Sequence, residues 1–209
     1  MTRIQPSRRA LVLAALAAPL AACSLPGGGE PPQLYTLTPK STFPADLPRA
    51  DWQLAVEMPI AAGGLDTSRI ALQRTPVTLD FFARAAWTDT APRMVQTLLI
   101  ESFENTGKIV GVSRDSAALR PDYLLKIDLR EFQAEYFDPG HPKVHVRLSM
   151  RLVRMPERVI LASFSHGEHV PAERGDLRAI AEAFDEALGR AMRRAVEWTL
   201  RTGDAQRRR

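Results

Sequence analysis

The sequence predicts an α+β two-layer sandwich, with a mostly antiparallel sheet and two principal helices on one face. Three observations support this fold class. Residues 122–137, 143–155 and 159–170 alternate apolar and polar side chains, with the turn signals Asp138-Pro139-Gly140 and Pro156-Glu157 between them. Consecutive strands joined by short turns form an antiparallel meander. Met94, Val95, Leu98, Leu99 and Phe103 recur at helical spacing, as do Leu177, Ile180, Ala181, Phe184, Leu188, Ala191, Ala195 and Trp198. Two apolar helix stripes and one apolar sheet face can close a single core.

Folded structure is expected from about residue 33, where Leu34, Thr36 and Thr38 alternate with Tyr35 and Leu37. A Pro-rich connection, 39–48, leads to a strand over 52–58 that stops at Pro59. After the Gly63-Gly64 turn come two short strands, 69–74 and 77–82, broken at Pro76. The first helix runs to Asn105, with Asp89 or Thr90 as cap and Pro92 in its first turn, and Gly107 ends it. A short strand over 109–112 precedes the meander. Asp176 caps the second helix, and from Gly203 a polar basic tail, 203–209, is expected to be disordered.

The N-terminus follows a different logic. Arg3, Arg8 and Arg9 precede a short apolar run from Leu11, and small residues follow it. This is the anatomy of a signal peptide, 1–22, and the run is shorter than the roughly 20 apolar residues of a spanning helix. Leu20-Ala21-Ala22-Cys23 resembles the bacterial lipobox, which implies cleavage between Ala22 and Cys23, diacylglycerol on the Cys23 thiol and acylation of the new amino group. Cys23 is the single cysteine, so no intramolecular disulfide is possible. Ser7-Arg8-Arg9-Ala10-Leu11 resembles a twin-arginine export motif, although an ordinary basic n-region accounts for the same residues and is preferred. Residues 23–32, rich in Gly and Pro, read as a lipidated flexible tether. Their glycine run lacks the Lys-Ser/Thr pair of a phosphate loop.

Removing 1–22 removes three arginines and no acid, leaving 25 basic against 24 acidic residues, a formal +1 in place of +4. The high pI of the whole chain therefore gives no reason to expect nucleic acid as a partner.

No catalytic residues are expected. Ser163-Phe164-Ser165-His166-Gly167 is not the Gly-x-Ser-x-Gly elbow. Asp128, Glu131 and Glu135 read as solvated positions of an amphipathic strand. No metal site is expected either. His141 with His145 and His166 with His169 have helical ligand spacing but fall on strand or turn segments, where residues three apart face opposite ways. Phe81-Phe82 and Tyr136-Phe137 each turn one ring away from a one-sided core. Those rings are expected to be covered, with a contact or lipid surface as the alternative.

Taken in order, several stretches resemble the ABC-type transport auxiliary lipoproteins of the paraquat-inducible protein C type. They are Cys23, Tyr35-Thr36-Leu37, Val56-Glu57-Met58-Pro59, Leu65-Asp66-Thr67-Ser68-Arg69-Ile70, Ala86-Trp87, Ala91-Pro92-Arg93-Met94-Val95, Tyr123-Leu124-Leu125 and Leu129-Arg130-Glu131-Phe132-Gln133-Ala134-Glu135-Tyr136. The resemblance assigns 33–202 to one such domain. It implies a non-enzymatic subunit without a cofactor other than the covalent lipid on Cys23. It also implies work beside an ABC permease, an ATPase and a mammalian-cell-entry (MCE) domain protein in intermembrane phospholipid transport and outer-membrane integrity. The lipid anchor would hold it to a membrane. Ser24 after the lipidated cysteine favours the outer membrane, facing the periplasm, with inner-membrane retention left open. Self-association into a homo-oligomer is left open as well. The competing reading is an outer-membrane assembly or scaffold lipoprotein unrelated to lipid traffic.

Overall fold

The computed structural model describes residues 31–117 and 120–208. Its backbone elements are β1 (Gln33–Tyr35), β2 (Ala50–Val56), β3 (Ile60–Ala61), β4 (Arg69–Gln73), β5 (Asp80–Trp87), α1 (Ala91–Asn105), β6 (Ile109–Arg114), β7 (Tyr123–Glu135), β8 (Lys143–Arg154), β9 (Val159–Pro171) and α2 (Leu177–Arg207).

Strand β7 is the spine of the sheet. Along one edge it pairs in succession with β2, β3 and β4, all parallel to it, and along the other with the whole of β8. β6 adds to β2 in parallel, β5 to β4 antiparallel, and β1 to β5 in parallel. The expected mostly antiparallel sheet is therefore corrected. Among the described residues only β4–β5, β7–β8 and β8–β9 run antiparallel, and the sheet is mixed and curled. The reason is connectivity. Alternation marks a strand without naming its partner, and strands separated by long connections or a helix can pair in parallel, as a tight hairpin cannot. α1 packs along β6 and α2 along β8 and β9. A curl thus takes the place of the flat layer expected to carry both helices on one face.

Two irregularities explain where alternation fails. The β7–β8 register shifts between Leu129 and Glu131, so the inward series Leu125, Ile127, Leu129 resumes at Phe132. One extra residue in a strand does this. β5 extends to Trp87 instead of ending at 82, with Arg84 at φ 54 and a register break against β4.

The core is continuous across these elements. Trp87, Phe132 and Phe184 form an aromatic cluster with ring centroids 5.0–5.7 Å apart, in edge-on and tilted contacts. Val144, Val146, Leu148, Met150 and Leu152 of β8 are fully buried, as are Ile180, Leu188, Met192 and Val196 of α2. α1 starts after Thr90 with Pro92 in its first turn, and Gly107, at φ 59, follows its end, as the sequence predicts, but the Thr90 side chain makes no capping hydrogen bond.

The expected disordered tail is also corrected. α2 continues through Gly203 to Arg207, and Gly203 is buried against the Trp52 indole. Glycine here permits close approach instead of stopping the helix. Arg207 then reaches Asp51 at 3.4 Å and Asp122 at 3.8 Å.

At the other end of α2 the Asp176 carboxylate accepts from the Ala179 N–H at 3.0 Å. That bond, with the Arg174 guanidinium, holds its pKa below the ordinary aspartate value. A depressed folded-state pKa means that the cap stabilises above the ordinary carboxylate range and is lost as pH falls through the folded value. Asp176→Ala should lower the melting temperature by a few degrees at neutral pH, and the deficit should vanish in acid. Thermal melts of the two proteins across pH check this.

Candidate functional site

Cys23 and Ala22, the expected lipidation and cleavage residues, lie outside the described residues. The described chain enters the fold at β1 on the outer edge of β5, and a strap over residues 36–49 then ties it to both helices. The Thr38 N–H and hydroxyl both donate to Asp185 on α2, at 2.6 and 2.9 Å. Lys40 N–H donates to Ser102 Oγ on α1 at 2.9 Å, Asn105 Nδ2 donates to the Lys40 carbonyl, and Arg201 pairs with Asp46 at 2.7 Å. An open groove of about 500 Å³ runs between Thr38–Ser41 and the α2 residues Glu186, Gly189 and Arg190.

The polar face of β7 and β8 is a ladder of opposite charges. Lys126 meets Glu57 at 2.8 Å, Arg151 meets Asp128 at 2.8 Å, and Arg147 meets Glu131 at 2.7 Å. Asp128, Glu131 and Glu135, expected to be solvated, are instead largely covered, with side chains 16%, 26% and 13% exposed, the first two beside arginines and Glu135 beside two histidines. Partly exposed pairs of this kind contribute little stability singly, and their arrangement fixes register more than it adds energy.

The strand aromatics divide into two groups. Trp52, Trp87 and Phe132 are buried. The Arg69 guanidinium lies 3.8 Å over the Phe81 ring and that of Arg74 lies 5.6 Å from Tyr136, so arginines cover these two rings. Burial also pushes the Tyr136 phenol above its ordinary pKa. Phe137 remains exposed.

At the end of the ladder the structure makes a cluster that reading along the chain missed. His145 of β8 and His169 of β9 are direct register partners, with rings stacked at 3.7 Å and 27°. Glu135 of β7 lies beside both, its Oε1 at 2.9 Å from His145 Nδ1 and its Oε2 at 3.9 Å from His169 Nε2. Gln133, itself buried, donates from Nε2 to Glu135 Oε1 at 3.1 Å. The sequence pairs do not meet as pairs. His166 sits 2.6 Å from Glu168 and stacks on Phe164, while His145 and His169, one from each pair, come together. Read outward from the turn at Pro156, the β8–β9 register would set His145 opposite Glu168; a one-residue shift between Leu152 and Val153 brings it opposite His169.

A curled mixed sheet with two core helices, entered by a strapped N-terminal segment, defines a class of α+β domain. The chain belongs to the family of the ABC-type transport auxiliary lipoprotein component, whose model matches residues 35–206. It is similar to protein XCC0632 from Xanthomonas campestris, with a TM-score of 0.81 and 32% identity over 85% of this chain and 99% of that structure. A second solved structure, of an uncharacterized protein, shares the fold at a TM-score of 0.62 and 13% identity, covering 80% of this chain and 97% of that one. The uncharacterized protein bll6063 of Bradyrhizobium diazoefficiens is 32% identical over 178 residues, 83% of this chain. The chain spans about half of that relative, 47% of its length.

Proposed function

We propose that this chain is a lipid-anchored, non-catalytic docking subunit of an ABC/MCE-type transporter. In this reading it supports phospholipid movement between membranes from the periplasmic face of the outer membrane. The family match over 35–206 carries the reading, together with the lipobox at Cys23. Two or more acyl chains anchor stably where one does not. A tethered domain then meets its partner at high effective concentration, and ATP chemistry falls to the ATPase. The docking element is the sheet, through its polar face or the long outer edge of β9, which pairs with β8 alone among the described residues. An extended segment of the MCE protein could add to such an edge through main-chain hydrogen bonds.

The test replaces residues 33–209 by an unrelated periplasmic domain while keeping 1–32. Co-purification with the MCE protein after crosslinking in cells should be lost. Undiminished co-purification would show that the folded domain is not what docks.

A further inference from the structure

We propose that Glu135, His145 and His169 form a binding site for a borderline divalent transition-metal ion such as Zn²⁺. One donor atom from each of the three residues lies within 4.8 Å of the others, on three adjacent strands. Metal–ligand bonds of about 2.0–2.2 Å place neighbouring donors roughly 3–3.5 Å apart. The separations of 2.9 and 3.9 Å bracket that range, and the two imidazoles, stacked at 27°, would turn out of their stack so that their in-plane lone pairs converge on the ion.

The composition and surroundings fit. Two imidazoles with one carboxylate select borderline ions over Mg²⁺ or Ca²⁺, which take oxygen ligands. Three protein ligands leave a position for water. Glu135 and His145 side chains are only 13% and 15% exposed, whereas His169 is 52% exposed and leaves a route for the ion. The buried Gln133 amide orients the carboxylate from behind, the supporting role that outer hydrogen bonds play at metal centres. At Gly167 of β9 an added Cβ would lie 3.4 Å from His145 Nε2, so glycine leaves the ring room to turn. The neighbouring cations are engaged elsewhere, Arg147 with Glu131 and Lys143 with Asp138. A bound ion would join β7, β8 and edge strand β9 through side chains as well as through the ladder.

The experiment uses the mature full chain in detergent, without a histidine tag and stripped with EDTA. Zn²⁺ is titrated by calorimetry, and Co²⁺ by its visible absorption. One equivalent should bind per chain. Zn²⁺ at about a hundredfold its dissociation constant should raise the melting temperature by about 5–10 °C. His145→Ala and His169→Ala should each weaken binding at least about tenfold, and Gln133→Ala by about tenfold. His166→Ala, on the opposite strand face, should bind as the parent does. Metal-free melts report folding of each variant, and His169→Gln replaces His169→Ala if the latter is unfolded. Absence of binding, binding undiminished in the His145 or His169 variants, or equal loss in His166→Ala would each overturn the site.

Discussion

Gly203→Leu should destabilise the domain by at least about 3 kcal/mol, and Gly203→Ala by about 1–2 kcal/mol. A Cβ added at Gly203 would fall inside the van der Waals envelope of the Trp52 indole. Trp52 has little freedom to retreat, being 1% exposed and packed edge-on against Tyr123 with centroids 5.0 Å apart. Two effects oppose each other in the alanine variant. Alanine is the better helix former by about 1 kcal/mol, which would stabilise an exposed or frayed segment. Overpacking in a closed core costs about 1–3 kcal/mol, and here it outweighs the propensity gain. The sign therefore discriminates between a docked helix end and a free tail. Chemical denaturation of the two variants reads it, and a neutral or stabilised Gly203→Ala would contradict the docking of this turn on Trp52.

Cys23→Ser should abolish maturation of the lipoprotein. In the proposed reading the thiol sulfur is the atom alkylated, and a serine hydroxyl is a far weaker nucleophile at neutral pH. The variant should keep its signal segment, incorporate no labelled fatty acid, and yield no product beginning at residue 23. Buried acyl methylenes contribute about 0.8 kcal/mol each, so losing all chains removes essentially the whole membrane affinity of the mature form. Electrophoretic mobility with metabolic acyl labelling measures both effects. Normal processing in the variant would place the anchor elsewhere.

What the sequence made legible follows from the range of each interaction. Thr90, Pro92 and Gly107 act within one or two turns, and they mark α1 as the structure has it. The Asp176 cap and the apolar stripe behind it likewise mark the start of α2. β7, β8 and β9 were readable because each alternates and short turns join them. Features set by distant residues were not. Among the described residues five strand pairings are parallel: β2, β3 and β4 meet β7, β6 meets β2 and β1 meets β5, all across long connections, and alternation is silent about partners. Gly203 carries the local signature of a stop, and only the Trp52 ring above it shows why the helix continues. The histidines show the same limit. Spacing along the chain singles out His141 with His145 and His166 with His169 only to set both pairs aside, whereas the β8–β9 ladder brings His145 to His169 and β7 adds Glu135. Only a register that includes the one-residue shift between Leu152 and Val153 makes that cluster visible, and neither residue spacing nor the turn marks that shift.

The most direct measurement is intact mass spectrometry of the protein extracted from cell membranes. Lipidation at Cys23 requires a polypeptide that starts at that residue and carries the added mass of a diacylglyceryl group and an amide-linked fatty acid. A mature chain starting at any other residue, or one with Cys23 present and unmodified, would contradict it.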